Sequence, residues 1–513
     1  MWYRNRSIPD IHEDCIDEGC RIPAIDHCFH NINLHPRTVN PMQFSKSMDI
    51  YRSRLRLGLM VLAVVAMTAP SNQASAQGKN AKGGRHALDQ SLREALDEQG
   101  VEVPDSGLPS QPNADLIELG QALFFDHELS GNRDIACATC HHPLLATGDA
   151  LSLPIGTGAV IPGELGPFRE KGPDREFIPR NAPEVFNRGS MLWFTQFWDS
   201  RVAEDGLGGF HSPAGAALPD GLPNVLAVQA MFPVTSRDEM RGALSDDNDL
   251  ADIDDADLQG IWDTLTDRLL EIEEYRSLFS DAFGMSDEVL DDEIGFEHAA
   301  IAIAAFETEA YTFLDSPFDR YLSGNNQAMS TPQKRGALLF YGKAKCSQCH
   351  SGPLMTDQQH YNLLIPHLGP GKVAGRDPAV DPGRALVTMD PNDTFRFRTP
   401  PLRNVTTTGP YMHNGAYADL GPAVRHHLDA IAAFESYDPA EQIDQVELID
   451  TVVYKGVEMS IPGDLAQPDE QLSKNEFNDL MKFLKALTAP RLNQRLRATI
   501  PDSVPSGLPI DGS

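Results

Sequence analysis

Two pentapeptides of one pattern constrain this chain more than any other feature: Cys137-Ala-Thr-Cys140-His141 and Cys346-Ser-Gln-Cys349-His350. Cys-x-x-Cys-His is the spacing of c-type haem attachment. Two thiols add across the vinyl groups of one haem, and the adjacent histidine reaches the iron from the proximal face. A single copy could equally be a redox or zinc cysteine pair beside a histidine. Two copies behind an export segment point to a di-haem c-type cytochrome. Once the macrocycle is fixed by thioethers, a fold can expose it without losing it.

The rest of the cysteine inventory agrees. Of seven cysteines, four lie in the two motifs, and Cys15, Cys20 and Cys28 all precede residue 50. No cysteine remains in the body of the chain for disulfides. Arg52, Arg54 and Arg56 precede an apolar run from Leu57 to Ala69 of about 13 residues, too short to span a bilayer comfortably. Ala74-Ser75-Ala76 is a small-x-small cleavage site, so the mature protein is expected to start near Gln77. Residues 1–76 read as an over-extended start plus a removed signal peptide over about 48–76, with Met48 as initiator. An uncleaved anchor is the alternative. Export to the periplasm, with no membrane span in the mature form, matches haem attachment outside the cytoplasm.

With 513 residues and 41% hydrophobic content, the chain can bury two or three cores. Its 74 acids against 42 bases give a formal charge of −32, which argues against nucleic acid and anionic membrane surfaces. Residues 77–112 read as a flexible leader around one short helix, Leu88 to Glu98. Leu116, Leu119 and Leu123 fall at helical spacing. Gly120-Gln-Ala-Leu-Phe-Phe125 before the first motif resembles Gly336-Ala-Leu-Leu-Phe-Tyr341 before the second. Helix, aromatic pair, turn, haem motif therefore occurs twice, as two units from an old duplication would show. Residues 143–225 read as ordered loops around a cofactor, and the acidic run 245–257 as solvated caps and turns. Phe296 to Leu314 reads as a central helix. A Ser473…Glu476 capping box opens another, with Phe477, Leu480, Met481 and Leu484 on one face. Strand signals are scarce. The expected class is mainly α, with two cytochrome c-like haem domains and long ordered loops: an N-terminal one over 113–285, a C-terminal one over 286–490, and a disordered tail over 491–513.

From about Leu116 to Leu487 the chain resembles the bacterial di-haem cytochrome c peroxidases and their MauG-like relatives. The resemblance is carried, in order, by Leu123-Phe-Phe-Asp126, Arg180-Asn-Ala-Pro183, Phe197-Trp-Asp199, Ser316-Pro-Phe-Asp-Arg-Tyr321, Thr399-Pro-Pro-Leu-Arg-Asn404 and Pro410-Tyr-Met-His-Asn-Gly415. It implies two covalent haem c groups, the peroxide site on Cys137, Cys140 and His141, and an electron relay on Cys346, Cys349 and His350. Trp198 matches the tryptophan between the haems. Gln229, Pro233 and Glu239 match the peroxide pocket, where a carboxylate moves a proton between the peroxide oxygens. The resemblance also implies a calcium ion at Asn181 and the backbone carbonyls of Thr399 and Pro401. Dimerisation is common in the family, though no motif here demonstrates a homodimer.

Two departures from the family pattern matter. Conventional peroxidases carry a histidine after haem one that ligates the resting iron, and Thr157 stands in its place. The expectation is an open or water-bound haem one, with His211 the residue that could overturn it. For haem two, His427 best fits the distal ligand position, making a bis-histidine iron with His350. Met412 is the rival, and His426 is one residue out of phase. A bis-histidine iron has a lower potential than His/Met. Three readings follow. The first is a peroxidase that reduces hydrogen peroxide with electrons from a small donor protein, a cytochrome c or cupredoxin. The second is a MauG-like enzyme whose peroxide-derived high-valent di-haem state oxidises a partner protein or organic substrate. The third is a non-catalytic electron-transfer cytochrome, which has no use for a distal acid. Differences from relatives are expected in the insertions near 160–178, 204–224 and 368–394.

Overall fold

The computed structural model describes residues 73–103, 113–372, 380–452, 467–468 and 470–512, with side chains of the first helix described from residue 86 onward. The expected signal segment up to residue 72 lies outside them. The described fold is helical, with only two small antiparallel sheets. One pairs Thr195–Gln196, Val202–Glu204 and Phe210–His211, and the other pairs His360–Tyr361 with Phe397–Arg398.

The repeated helix seen in the sequence is repeated in the packing. Helix Ala114–Phe125 starts where the Asn113 side chain accepts the Asp115 backbone N–H at 3.2 Å. It packs along helix Phe296–Ala310. Gly120 lets the two backbones approach, since a Cβ there would run into the Ala302 carbonyl and the Phe306 side chain. Phe124, Phe125, Phe306 and Tyr311 close the crossing with ring centroids 5.3 to 6.0 Å apart. In the second unit, helix Thr331–Phe340 opens with a Ser330–Gln333 capping box and packs along Lys474–Ala486, which the expected Ser473–Glu476 box opens. Gly336 takes the part of Gly120, against the Asp479 carbonyl and Phe483. Phe318, Phe340, Tyr341 and Phe483 supply the rings. Each helix pair ends in an aromatic pair, then a turn, then a Cys-x-x-Cys-His motif.

Three expectations about organisation need correction. Helix Phe296–Ala310, expected in a C-terminal domain beginning at 286, buries its side chains in the first core. The physical reason is the close crossing at Gly120, against Ala302 and Phe306, and the Phe124–Phe306 ring contact, which fasten this apolar helix to Ala114–Phe125. The leader is not loose over its helical part. Helix Gln73–Glu98 buries Leu92 and Leu96 in the second core, and Arg93 donates to the Tyr321 carbonyl (3.0 Å) and Asn326 (2.6 Å). The tail is ordered through residue 512. Helix Leu492–Arg497 buries Leu492 and Leu496 in the first core, as do Val504 and Ile510 beyond it. Asp511, 3% exposed, pairs with His127 at 2.8 Å and accepts from the Thr139 hydroxyl. Apolar residues spaced through a short polar tail were enough to dock it.

The acidic run behaves as expected: Asp257 caps helix Leu258–Leu270, and Asp246 accepts from Asn132 (2.8 Å) and the Ala243 N–H (2.9 Å). No helix among the described residues is long and apolar enough to cross a membrane.

Candidate functional site

Each Cys-x-x-Cys-His motif opens onto its own cavity. Around the first, Cys137–Cys140 forms a single helical turn, and the Thr139 hydroxyl holds the Ala136 N–H at 2.9 Å. His141 bonds through Nδ1 to the Thr147 carbonyl at 3.2 Å, which leaves Nε2 for a metal. Burial holds its pKa down to about 4, so the ring is neutral, as ligation requires. Cys137, Cys140 and His141 line about 1310 Å³ of space together with Gln229, Pro233 and Glu239. The three pocket residues expected from the resemblance are thus brought to one wall.

Gln229 reaches that wall from helix Val225–Ala230, capped by Asn224, whose side chain accepts two backbone N–H groups at 3.1 and 3.0 Å. Glu239 sits in a π-helical turn, Arg237–Arg241, a wide turn common at functional sites. Its backbone carbonyl accepts the Thr157 N–H at 2.9 Å. Burial pushes the Glu239 carboxyl above the ordinary glutamate range. Arg201 and Lys372 oppose that shift, and Asp238 adds to it.

Thr157 is not among the residues lining this cavity. Its hydroxyl donates to Asp134 at 2.7 Å and accepts from Asn132 at 2.9 Å. His211 is exposed in strand Phe210–His211 and is not on the cavity wall. Among the described residues lining this cavity, His141 is the one imidazole.

The second cavity, partly open to solvent, is lined by Cys346, Cys349, His350 and His427. His350 bonds through Nδ1 to the Pro400 carbonyl at 3.1 Å, and His427 through Nδ1 to the Ala423 carbonyl at 2.9 Å. Both Nε2 atoms are therefore left for a metal. The two ring centroids lie 6.2 Å apart. Two imidazoles that bind one metal from opposite sides at about 2.0–2.1 Å per bond have centroids about 6.4 Å apart. Burial lowers both histidines, with His350 at about 3. His426 turns away, accepting from or donating to Tyr417 (2.8 Å) and meeting the Leu363 carbonyl (2.6 Å). Met412 also lines the cavity, from a backbone position with φ of 76°.

The lining of both cavities suits haem. All four motif thiols stand outside disulfides. Apolar walls carry a few buried polar atoms without partners: Glu307 Oε2 in the first cavity, His413 Nε2 and both ring nitrogens of His367 in the second. A large flat apolar group with a polar edge matches that pattern.

Trp198 lines both cavities. Its indole N–H donates to the Asn181 carbonyl at 2.9 Å. Asn181 also lines both cavities and donates through Nδ2 to the Leu151 carbonyl at 2.9 Å. Thr399 and Pro401 line the second cavity, and the Thr399 carbonyl accepts the Thr356 hydroxyl at 2.7 Å. No cluster of three His, Cys, Asp or Glu side chains suited to a metal occurs among the described residues. A calcium site would rest on amide and carbonyl oxygens.

Several wall residues were not anticipated. Arg201 directly follows the Phe-Trp-Asp motif by one serine and lies over the Phe197 ring at 3.6 Å. Glu307 could have been found as the acid that falls on the buried face of helix Phe296–Ala310. Burial pushes it up to about 8. Lys372 comes from the 368–394 insertion and has no motif around it.

The comparisons with known proteins agree with this geometry. Residues 114–327 match the family model for the di-haem cytochrome c peroxidases. The methylamine utilization protein MauG of Methylorubrum extorquens is 30% identical over 316 residues, covering 61% of this chain and 68% of that protein. Cytochrome c551 peroxidase of Pseudomonas aeruginosa is 30% identical over 341 residues, covering 66% of this chain and 78% of that protein. A crystal structure of a MauG-like protein associated with microbial copper homeostasis shares the fold, with a TM-score of 0.52 at 24% identity, over 78% of this chain and 97% of that one. Two attachment motifs, two cavities that meet at one tryptophan, and relatives on both branches lead to one conclusion: this chain belongs to the di-haem cytochrome c peroxidase family.

Proposed function

We propose that this chain is an exported, periplasmic di-haem c-type peroxidase that reduces hydrogen peroxide in its first haem unit, with electrons relayed through its second. The observation that carries this reading is the first cavity, where Gln229 and Glu239 share the lining with a Cys-x-x-Cys-His motif and no second imidazole enters among the described residues. When bound, haem supplies an iron that can take a peroxide oxygen and accept electrons.

The chain's own residues do the rest. Glu239 accepts a proton from one peroxide oxygen and returns it to the other, so that two protons and two electrons convert H₂O₂ to two waters. A carboxyl whose proton affinity is raised by burial is suited to both halves of that transfer. Gln229 orients the peroxide by hydrogen bonding. Trp198, in the shared wall, couples the two units. His350 and His427 would hold haem two, with Met412 as a bystander in the wall. Asn181, Thr399 and Pro401 would hold calcium beside Trp198, using oxygen ligands that suit this ion.

A second reading is favoured by the facing His350 and His427 rings. Two histidines give haem two a low potential, less ready to accept electrons from a small donor protein and better able to hold a higher oxidation state. In that case peroxide is the oxidant, and a partner protein or organic molecule is the electron source. Steady-state turnover separates the two. A cytochrome c or cupredoxin donor consumed two equivalents per peroxide supports the peroxidase. Peroxide consumption without donor oxidation, but with modification of a partner, supports the second reading. A pure electron carrier would do neither.

A further inference from the structure

The distal side of the first cavity carries a charge that the proton-transfer account does not use. Lys372, from the loop after the second haem motif, lines the cavity with Glu239, Gln229 and Arg201. Its backbone is fixed, with its N–H donating to the Val380 carbonyl at 3.1 Å. The two neighbouring guanidiniums are already engaged by carboxylates. Arg180 bonds to Asp381 at 2.6 and 2.9 Å and pairs with Asp199 at 2.6 Å. Arg201 pairs with the other side of Asp199 at 3.2 Å. Two guanidiniums and two carboxylates are thereby satisfied. The Lys372 ammonium has no hydrogen bond or ion pair among the described residues. Asp199 and Glu239 act on it only at longer range, and a half-buried ammonium on a cavity wall without a direct partner is available to a ligand, as charged groups at functional sites often are.

We infer that Lys372 makes the distal wall of the first cavity an anion-binding site, whose ligands are hydroperoxide and other small inorganic monoanions. The inference rests on reading this cavity as the peroxide site. When Glu239 takes a proton from H₂O₂, the products are a neutral carboxylic acid and the HOO⁻ anion. The negative charge has moved from Glu239 to the ligand, and the Lys372 ammonium, no longer opposed by the Glu239 carboxylate, is left to offset the anion. Burial, with Arg201 and Arg180 adding, lowers the Lys372 pKa to about 8, with Asp199 and Glu239 opposing, so at neutral pH the group keeps its proton. Arg201 cannot substitute, because Asp199 already holds it.

The test is azide titration of the oxidised holoprotein, followed by the absorbance of haem one, with imidazole as a neutral probe. In the wild type azide binds. In Lys372→Gln its affinity falls about tenfold or more, while imidazole affinity is unchanged. Lys372→Arg, which keeps the charge, restores most of the azide affinity. Lys372→Met repeats the comparison should the Gln variant lose haem. Equal azide affinity in the wild type and the neutral variants overturns the inference and leaves the peroxide-site reading intact. Equal weakening of azide and imidazole overturns it too, since shape rather than charge would then be responsible. A wild type that binds neither probe overturns the open haem-one reading, and this inference with it.

Discussion

At the residue scale, the account turns on Glu239, Trp198 and His427. Glu239→Gln keeps the shape of the side chain but cannot cycle a proton. It should lower kcat/KM for peroxide by about 100-fold or more, with the spectra of both haems unchanged. The wild-type pH profile carries the same information. Because burial raises the Glu239 pKa, the basic form is lost as pH falls through a value above the ordinary 4.5. Peroxide reactivity should therefore rise with pH on that limb, and the limb should be missing from the Gln variant. His427→Met is the matching test of the second cavity. It should keep haem two six-coordinate and raise its potential in a spectropotentiometric titration. An unchanged low-spin spectrum and potential would show that His427 is not a ligand. Trp198 lines both cavities, so Trp198→Phe should slow donor-driven turnover while leaving both haems attached.

At the element scale, the two glycine crossings and the tail bear most on stability. Gly120→Ala or Gly336→Ala forces apart a helix pair whose backbones touch, and should cost about 1–3 kcal/mol, read as a fall in Tm. The tail acts as a latch on the first haem motif. Asp511→Ala removes the hydrogen-bond acceptor of buried His127 and of the Thr139 hydroxyl and should cost about 1–3 kcal/mol. Burial alone would raise the Asp511 carboxyl, but the bonds from His127 and Thr139 outweigh it and hold it below its ordinary 3.8. Its stabilisation is therefore complete above that value and is lost as pH falls through the lower folded value. The wild type should lose its stability advantage over Asp511→Asn in acid, and keep it at neutral pH.

At the scale of the whole molecule, the sequence disclosed chemistry more readily than organisation. The haem motifs and the repeated Gly-to-aromatic helix were legible because each is a local pattern whose spacing has a chemical or packing cause, whereas Trp198, Gln229 and Glu239 were reached only through the family resemblance, and all three line the first cavity. His427 was reached through the same resemblance, with Met412 as its rival, and its ring lies 6.2 Å from that of His350. The rest depended on partners distant in the chain. The helix Phe296–Ala310 has a periodicity that says "buried" but not against which unit. The tail is ordered by contacts with residues nearly four hundred positions earlier, such as Asp511 with His127. Lys372 enters the first haem's cavity from beyond the second haem motif, and no local pattern could have assigned it there.

The central claim is that the two haems differ in their distal sides: one open, one closed by His427. Low-temperature EPR of the fully oxidised holoprotein tests it most directly. The account predicts a high-spin ferric signal from haem one beside a low-spin bis-histidine signal from haem two. Two low-spin signals, with no high-spin component, would mean that haem one is capped by a ligand, and would contradict the account.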